Sequence, residues 1–347
     1  MKIGFDAKRA FLNRAGLGNY SRNTLIALRK YYPENDYVLF TPEIKPDLFP
    51  EQTGFYVYSP DSPASKIFKS LWRSFSLAGQ LEKHGLALFH GLTHELPAGI
   101  HKTGVKSIVT IHDLIFLRYP QYYKPIDRNI YRRKIKYACD VAHSIVAISS
   151  QTRDDLTEFL RISPEKIRVV PQGISQRFFS GGGAEDQNIK EKYKLPEKYI
   201  LSVGTIEKRK NQLNILKAAQ QAKIEIPLVL VGRLTSYAAT ISDFASRNNM
   251  EGKVVLLGQV PDDELPALYR NAEMLAYVSE FEGFGLPVIE AMASGCPVLT
   301  SKTSSMPETA GGAAVCCDPA NLDEMTGAIR QIIGDDKFRS SLIEKGK

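Results

Sequence analysis

Residues 274–300 read MLAYVSEFEGFGLPVIEAMASGCPVLT. Met274–Val278 and Val298–Thr300 are short apolar runs, and the segment between them changes from the period of a strand to that of a helix. A glycine-containing loop comes first; Pro287 then suits the opening turn of a helix and Gly295 its end. Strand, loop, helix and strand in that order form the repeating unit of a parallel sheet covered on both faces. The loop ends on a helix N-terminus, so the backbone N–H groups of Phe284, Gly285 and Leu286 are expected at the carboxyl edge of the sheet. A positive dipole stands behind them, an arrangement suited to phosphate or sugar oxygens. Glu290 is expected in the first helical turn and Glu282 in the preceding loop. Off one helix face, they would touch different parts of one extended ligand; the competing explanation is that both merely favour a helix N-terminus.

Outward from this segment, the alternation of apolar runs and amphipathic stretches extends over the chain and predicts an α/β protein. On the N-terminal side it predicts strands at Tyr199–Val203, Leu228–Val231 and Lys253–Leu257, with helices near 211–222, 236–249, 262–271 and 287–294. The first half repeats the pattern, with strands at Lys2–Asp6, Tyr37–Phe40, Leu86–His90, Lys106–Ile111, Ser144–Ile148 and Ile167–Val170 and helices near 18–31, 65–84, 127–138 and 151–160. Phe178 to Asp186, carrying Gly181, Gly182 and Gly183, interrupts it. Two Rossmann-like domains are therefore expected, residues 1–180 and 181–347. They would face each other across a cleft at the carboxyl ends of their strands, where open α/β sheets bind ligands.

A chain of 347 residues is the length of two domains, and 43% hydrophobic with 24% charged residues excludes wholesale disorder. Cys139, Cys296, Cys316 and Cys317 form neither a CxxC pair nor a zinc spacing. His84, His90, His94, His101 and His143 show no metal spacing either, so neither disulfides nor a metal site is indicated. Such thiols fit a reducing, cytoplasmic compartment. Met1–Asp6 lacks the apolar core of a signal peptide, and no apolar run reaches the roughly 18 residues of a membrane span. The expectation is a soluble protein, at most peripheral to a membrane. Charge divides unevenly: residues 1–180 hold 26 Lys and Arg against 16 Asp and Glu, and the remainder holds 19 against 22. A basic half suits an anionic partner such as phosphate or a membrane surface. Nucleic acid is disfavoured, because the sequence carries no zinc-finger spacing and no RNA-binding aromatic motif.

The spacing from Glu282 to Glu290 within EGFGLPVIEAMASGCPV resembles the signature of the retaining glycosyltransferases of family 4, which have the GT-B fold. Gly204-Thr205-Ile206-Glu207-Lys208-Arg209-Lys210-Asn211 resembles that family's basic donor-phosphate loop, and Gly258-Gln259-Val260-Pro261 with the following helix resembles its base-contacting segment. In the first half, Gly16-Leu17-Gly18-Asn19-Tyr20 is similar to the family's glycine loop, Ile111-His112-Asp113 to its His-Asp motif, and Pro171-Gln172-Gly173-Ile174 to the segment ahead of the linker. The resemblance runs in order over nearly the whole chain.

It implies transfer of a sugar from a nucleotide donor to a glycan or lipid-linked acceptor in cell-surface polysaccharide biosynthesis, with retention of anomeric configuration. It also implies no bound metal, and the sequence contains no Asp-x-Asp clamp. Under this resemblance His112, Glu282, Arg209 and Lys210 are the catalytic residues. Gly16, Gly18, Val260, Phe284, Gly285, Leu286 and Glu290 bind the donor. Glu282 would hold sugar hydroxyls, Glu290 the ribose, and His112 the sugar or its phosphate; Arg209 and Lys210 would neutralise the leaving diphosphate, with Lys208 a solvated neighbour, although spacing alone reads the three as a surface charge run. Gly16 and Gly18 would let backbone approach the diphosphate, although a plain tight turn also explains them. The Gly-Thr-x-Glu…Arg-Lys-Asn form of the basic loop is most similar to mannosyltransferases that use GDP-mannose. A nucleotide-sugar epimerase on the same fold and a non-catalytic nucleotide-binding module stay open, whereas a dehydrogenase is disfavoured because neither glycine loop completes G-x-G-x-x-G.

Two departures from the family stand out. Thr205 occupies a position where many relatives carry arginine, which leaves the guanidinium to Arg209. The sequence stops at Lys347, where the family continues into an aromatic-containing crossover helix, implying a shortened chain or a differently latched closure. In the basic half, Ser65–Phe75 and Lys124–Lys136 interleave cations with large apolar residues. They suit an anionic membrane surface or a lipid pyrophosphate, or else a core-facing stripe with its cations on the wet side.

Overall fold

The computed structural model describes residues 1–60 and 72–347, which divide into two compact units, Met1–Gly173 and Ile174–Lys347. Among the described residues, the first unit holds seven strands: β1 (Lys2–Asp6), β2 (Asp36–Phe40), β3 (Tyr56–Tyr58), β4 (Leu88–Gly91), β5 (Lys106–Ile111), β6 (Ser144–Ala147) and β7 (Ile167–Val169). All are parallel, in the order β3-β2-β1-β4-β5-β6-β7. The second unit holds six among its described residues: β8 (Ile200–Val203), β9 (Leu228–Val231), β10 (Val254–Gly258), β11 (Met274–Tyr277), β12 (Val298–Ser301) and β13 (Val315–Cys317). They are likewise parallel, in the order β10-β9-β8-β11-β12-β13. Both units are doubly wound α/β folds, as the periodicity predicts.

The continuous apolar character of the strands has a direct cause. Along β2, Tyr37 and Leu39 enter one core with Phe5 and Leu25, while Val38 and Phe40 enter another with Leu81 and Phe89. Along β9, Leu228 and Leu230 face one core, and Val229 and Val231 the other. Alternate residues point to opposite faces, and helices cover both, so every position is apolar. The strands that hydrophobic runs did not predict are β3 and β13. Each is a three-residue edge strand, and Tyr56 of β3 is 65% exposed. Edges are short and half-solvated, so their sequences carry little apolar signal.

The boundary between units precedes the glycine run rather than coinciding with it. Phe178 is buried in the core of the second unit against the Tyr269 ring, at 6.1 Å between centroids, and its carbonyl accepts from Ser294 Oγ at 3.3 Å. Gly181–Gly183 is thus a loop within the second unit, leading to the helix Ala184–Tyr193. Two further helices, Leu322–Gly334 and Asp336–Gly346, close this unit; Asn321 and Asp335 cap them through their side-chain oxygens.

In the basic half, Lys66, Phe68, Lys69 and Leu71 lie outside the described residues. Trp72 is buried in the core, and Arg73 is turned inward, donating to Asp6 at 2.6 Å and Glu95 at 3.0 Å. The described end of that segment is therefore interior. The helix Pro125–Val141 is different: Ile126, Ile130 and Tyr131 are all exposed among Lys124, Arg132 and Arg133. Among the described residues, no helix is long and apolar enough to cross a membrane. Cys139, Cys296 and Cys317 are buried free thiols and Cys316 an exposed one.

Candidate functional site

In the second sheet the chain winds one way from β8 to β10 and the other way from β11 to β13, so the switch point lies between β8 and β11. Loops leaving the carboxyl ends of two such neighbours diverge and leave a crevice, where open α/β sheets take their ligands. Arg209 and Lys210 come from the loop after β8, Glu282 from the loop after β11. Lys210 Nζ donates to Glu282 Oε1 at 2.6 Å and to the Tyr277 hydroxyl at 2.7 Å; Arg209 lies 3.1 Å from the same carboxylate oxygen. Lys208 is exposed beside them.

Arg209 also fastens the two loops together. Its guanidinium donates to the Phe281 carbonyl at 2.5 Å and to Glu207 at 2.7 Å, and its own carbonyl accepts from Glu280 N–H at 2.9 Å. The charges are only slightly exposed, the Glu282 side chain at 11% and Lys210 at 12%. Burial opposes ionisation of Glu282, yet the Lys210 and Arg209 charges override it and hold the carboxyl down at about 2. Burial also lowers the Lys210 amine, with Glu282 working against the shift and Arg209 with it. Burial and then the Glu282 charge push the Tyr277 hydroxyl well up, so it stays protonated. The result is two cations facing two carboxylates, Glu282 shared by both and Glu207 on Arg209 alone, a set in which the shared carboxylate can give way to an incoming anion.

Hydroxyl groups after β12 hold the acidic loop. Ser304 Oγ accepts from Glu282 N–H, Ser305 Oγ donates to the carbonyls of Glu282 and Phe284 at 3.0 and 3.1 Å, and Thr309 Oγ1 donates to Phe284 O at 2.6 Å. Gly285 leads into the helix Leu286–Ala293, where Pro287 carries no N–H and Val288 N–H donates to the Gly285 carbonyl at 2.9 Å. Next to this loop the ends of β8, β9 and β10 carry Gly204, Gly232 and Gly258. Gly204 N–H donates to Val231 O and Gly232 N–H to Gly258 O, both at 2.8 Å. Gly232 has φ 144°, and a Cβ there would lie 2.0 Å from the Gly204 carbonyl oxygen, so no side chain fits. The floor beside the cations is bare backbone.

Glu290 is the fifth residue of its helix, at the opening of the second turn and one position later than the sequence predicts, because the helix starts at Leu286. It is buried, and its Oε2 accepts from the Tyr269 hydroxyl at 3.0 Å. Burial, with Asp262 adding to it and Tyr269 and Arg177 opposing, pushes the carboxyl up to about 7. Val260 follows β10 and packs on the core that contains Tyr269 and Tyr277.

In the first unit, Gly16 and Gly18 lie inside the first turn of the helix Gly16–Tyr31, not in a free loop, and a short helix, Lys8–Leu12, intervenes after β1. A Cβ on Gly18 would meet the Asn13 carbonyl oxygen at 1.8 Å, so glycine is what lets the preceding loop close onto the helix. Tyr20 from this helix meets the His112 ring edge-on at 4.6 Å. His112 stands at the end of β5, as predicted, and is buried. Its Nε2–H donates to Leu92 O at 2.9 Å, and its Nδ1 accepts from Gln172 Nε2 at 3.1 Å. Both nitrogens are engaged, and burial, reinforced by His94, holds the ring neutral, down at about 3.

Arg209, Lys210 and Glu282 thus meet at one point, with Phe284, Gly285, Leu286 and Glu290 following on the same loop and helix; His112, Gly16 and Gly18 gather in the first unit. Sequence reasoning missed Tyr277, Tyr269, Ser304, Ser305, Thr309, Gly232 and Gln172. The hydroxyl at the end of the otherwise apolar run MLAY and the hydroxyl-rich stretch Thr303–Thr309 were the available signals.

Two doubly wound parallel units define the class, a GT-B fold. HepE from Anabaena in complex with UDP shares it, with a TM-score of 0.77, 17% identity, and coverage of 100% of this chain and 93% of that one. Residues 15–177 match Glycosyltransferase Family 4, and residues 185–347 match Glycosyl transferases group 1. O-antigen chain mannosyltransferase B of Escherichia coli is 31% identical over 265 residues, covering 75% of this chain and 68% of that protein. The serotype-specific mannosyltransferase WbdA of Escherichia coli is 27% identical over 74% of this chain, which spans 33% of its length. The chain belongs to glycosyltransferase family 4.

Proposed function

We propose that this glycosyltransferase moves mannose from GDP-mannose to a glycan or lipid-linked acceptor in surface polysaccharide assembly, with retention and without a bound metal. The observation that carries the reading is the half-buried Arg209–Lys210 pair set against Glu282 at the switch point of the second sheet. As the bond from the anomeric carbon to the diphosphate breaks, negative charge grows on the departing phosphate. Arg209 and Lys210 meet it, with the positive end of the Leu286–Ala293 helix dipole beside them. The acceptor oxygen bonds to the anomeric carbon on the face the diphosphate leaves, and its proton passes to a phosphate oxygen. Glu282 binds hydroxyls of the sugar ring, and Glu290 binds the ribose. The mannose and GDP assignment is supported by the form of the basic loop and by the relatives named mannosyltransferases.

The acceptor side is read as the cytoplasmic face of an anionic membrane, touched peripherally. Ile126 at 73% and Ile130 at 46% exposure share a helix face with Arg133, and exposed Tyr131, Lys124 and Arg132 lie beside it, a basic and apolar surface that suits lipid headgroups.

Calorimetry with GDP, UDP and ADP, with and without chelator, followed by assay of the matching nucleotide sugars with lipid-linked acceptors, tests the whole reading. GDP should bind best and GDP-mannose should yield GDP only when acceptor is present. Binding abolished by chelator, or a sugar epimerised without acceptor, would overturn it.

A further inference from the structure

His112 poses a question of proton placement that its neighbours answer. The Leu92 carbonyl can only accept, so Nε2 must carry a hydrogen. A neutral ring then presents Nδ1 as an acceptor, and a donor must face it. The amide nitrogen of Gln172 is that donor; with the amide turned over, its oxygen would face a lone pair. Gln172 is itself buried and belongs to Pro171-Gln172-Gly173, the segment by which the chain leaves the first unit.

We propose that Gln172 is a positioning residue, locking His112 in its Nε2–H tautomer and tying the imidazole to the segment at the unit boundary. The remaining surroundings agree. Tyr20 from its helix packs edge-on to the ring, His94 lies 5.2 Å away, His90 and Tyr20 share the Thr110 hydroxyl, Arg9 acts from the Lys8–Leu12 helix, and Thr152 donates to the His112 carbonyl. Asp113 is the anionic group acting on the ring. A displacement of residues 171–173 withdraws the donor from Nδ1, so the path of the boundary segment sets the state of a ring at the edge of the first sheet. The effect on turnover rests on the glycosyl-transfer reading; the tautomer does not.

The full-length protein labelled with ¹⁵N in its histidine rings tests this by two-bond nitrogen–proton correlation, with His112→Asn assigning the signals. Wild-type His112 should keep the Nε2–H pattern from about pH 5.5 to about 8.5. Gln172→Glu offers only an acceptor, so the ring should gain a proton on Nδ1 and stay charged at neutral pH. Gln172→Leu should lower kcat roughly tenfold with the donor KM held within about twofold. A wild-type ring that titrates in that range, or carries its hydrogen on Nδ1, overturns the lock. Unchanged kcat in both variants overturns the positioning role. A wild-type protein that uses no nucleotide sugar strikes only the functional reading, because the tautomer is read without substrate.

Discussion

Replacing Glu282 by glutamine should change binding and turnover in opposite directions. The carboxylate sits 2.6 Å from Lys210 Nζ and 3.1 Å from Arg209, and the two cations hold it at about 2 against an ordinary 4.5. At 1.36 kcal/mol per pH unit, the site prefers the charged over the neutral form by about 3 kcal/mol. An incoming diphosphate must compete with that carboxylate for the same cations. In Glu282→Gln the competition is gone, so GDP should bind about tenfold tighter, with about a hundredfold as the ceiling. Turnover should fall about a hundredfold, because a preorganised charge facing the reacting sugar contributes about 2.7 kcal/mol. Calorimetry gives the first quantity, and steady-state kinetics with donor varied at saturating acceptor gives the second. The depressed carboxyl also has a pH signature. It stabilises the second unit fully above about pH 4.5 and loses that contribution as pH falls toward 2, a limb the variant should lack. If GDP binds the variant no better than wild type, the cations are structural partners of Glu282 and the phosphate assignment fails.

Glu290 should behave in the reverse sense. Its carboxyl is raised to about 7, so the stability it permits is complete below about pH 4.5 and is lost as pH rises through 7. Glu290→Gln should match wild type near pH 4.5, unfold later than wild type at pH 8 by up to about 3 kcal/mol, and raise the donor KM; equal melting at both pH values refutes this. Gly232→Ala forces a Cβ to 2.0 Å from the Gly204 carbonyl oxygen and should cost about 2–4 kcal/mol in urea unfolding, whereas Gly252→Ala, with nothing within 4 Å, should cost far less. Ile126→Ser combined with Ile130→Ser should release the protein from vesicles containing anionic lipid, and Arg132→Ala with Arg133→Ala should weaken retention mainly at low salt. Wild-type protein that ignores such vesicles at low salt refutes the docking surface.

Strands flanked on both faces announce themselves, because every residue of runs such as Leu228–Val231 must be apolar; β3 and β13, exposed at the sheet edges, did not. The glycine run at 181–183 misled the placing of the boundary, since flexibility in sequence does not reveal that Phe178, before it, is already anchored in the second core. At the site, Arg209, Lys210, Glu282 and Glu290 were singled out through the family resemblance; the spacing of Lys208–Lys210 alone reads as a surface charge run, and the structure brings Arg209 and Lys210 against Glu282. Their partners were not singled out. Tyr277, Tyr269 and Gln172 act through contacts spanning 67, 21 and 60 positions, and nothing local in a sequence encodes such a meeting. Glu290 differs from its expected place by one position, because the helix opens at Leu286, one residue before Pro287.

The bonds from Arg209 to Phe281 and from Glu280 to Arg209 make the two loops of the second unit one heritable piece. A chimera that takes the basic loop from one relative and the acidic loop from another would inherit half of that latch. Where the incoming basic loop lacks arginine at position 209, the Phe281 carbonyl loses its guanidinium donor, however well each loop suits its own strand. Exchange of donor preference between relatives by recombination is therefore expected to tolerate a crossover within residues 204–285 only where position 209 stays arginine.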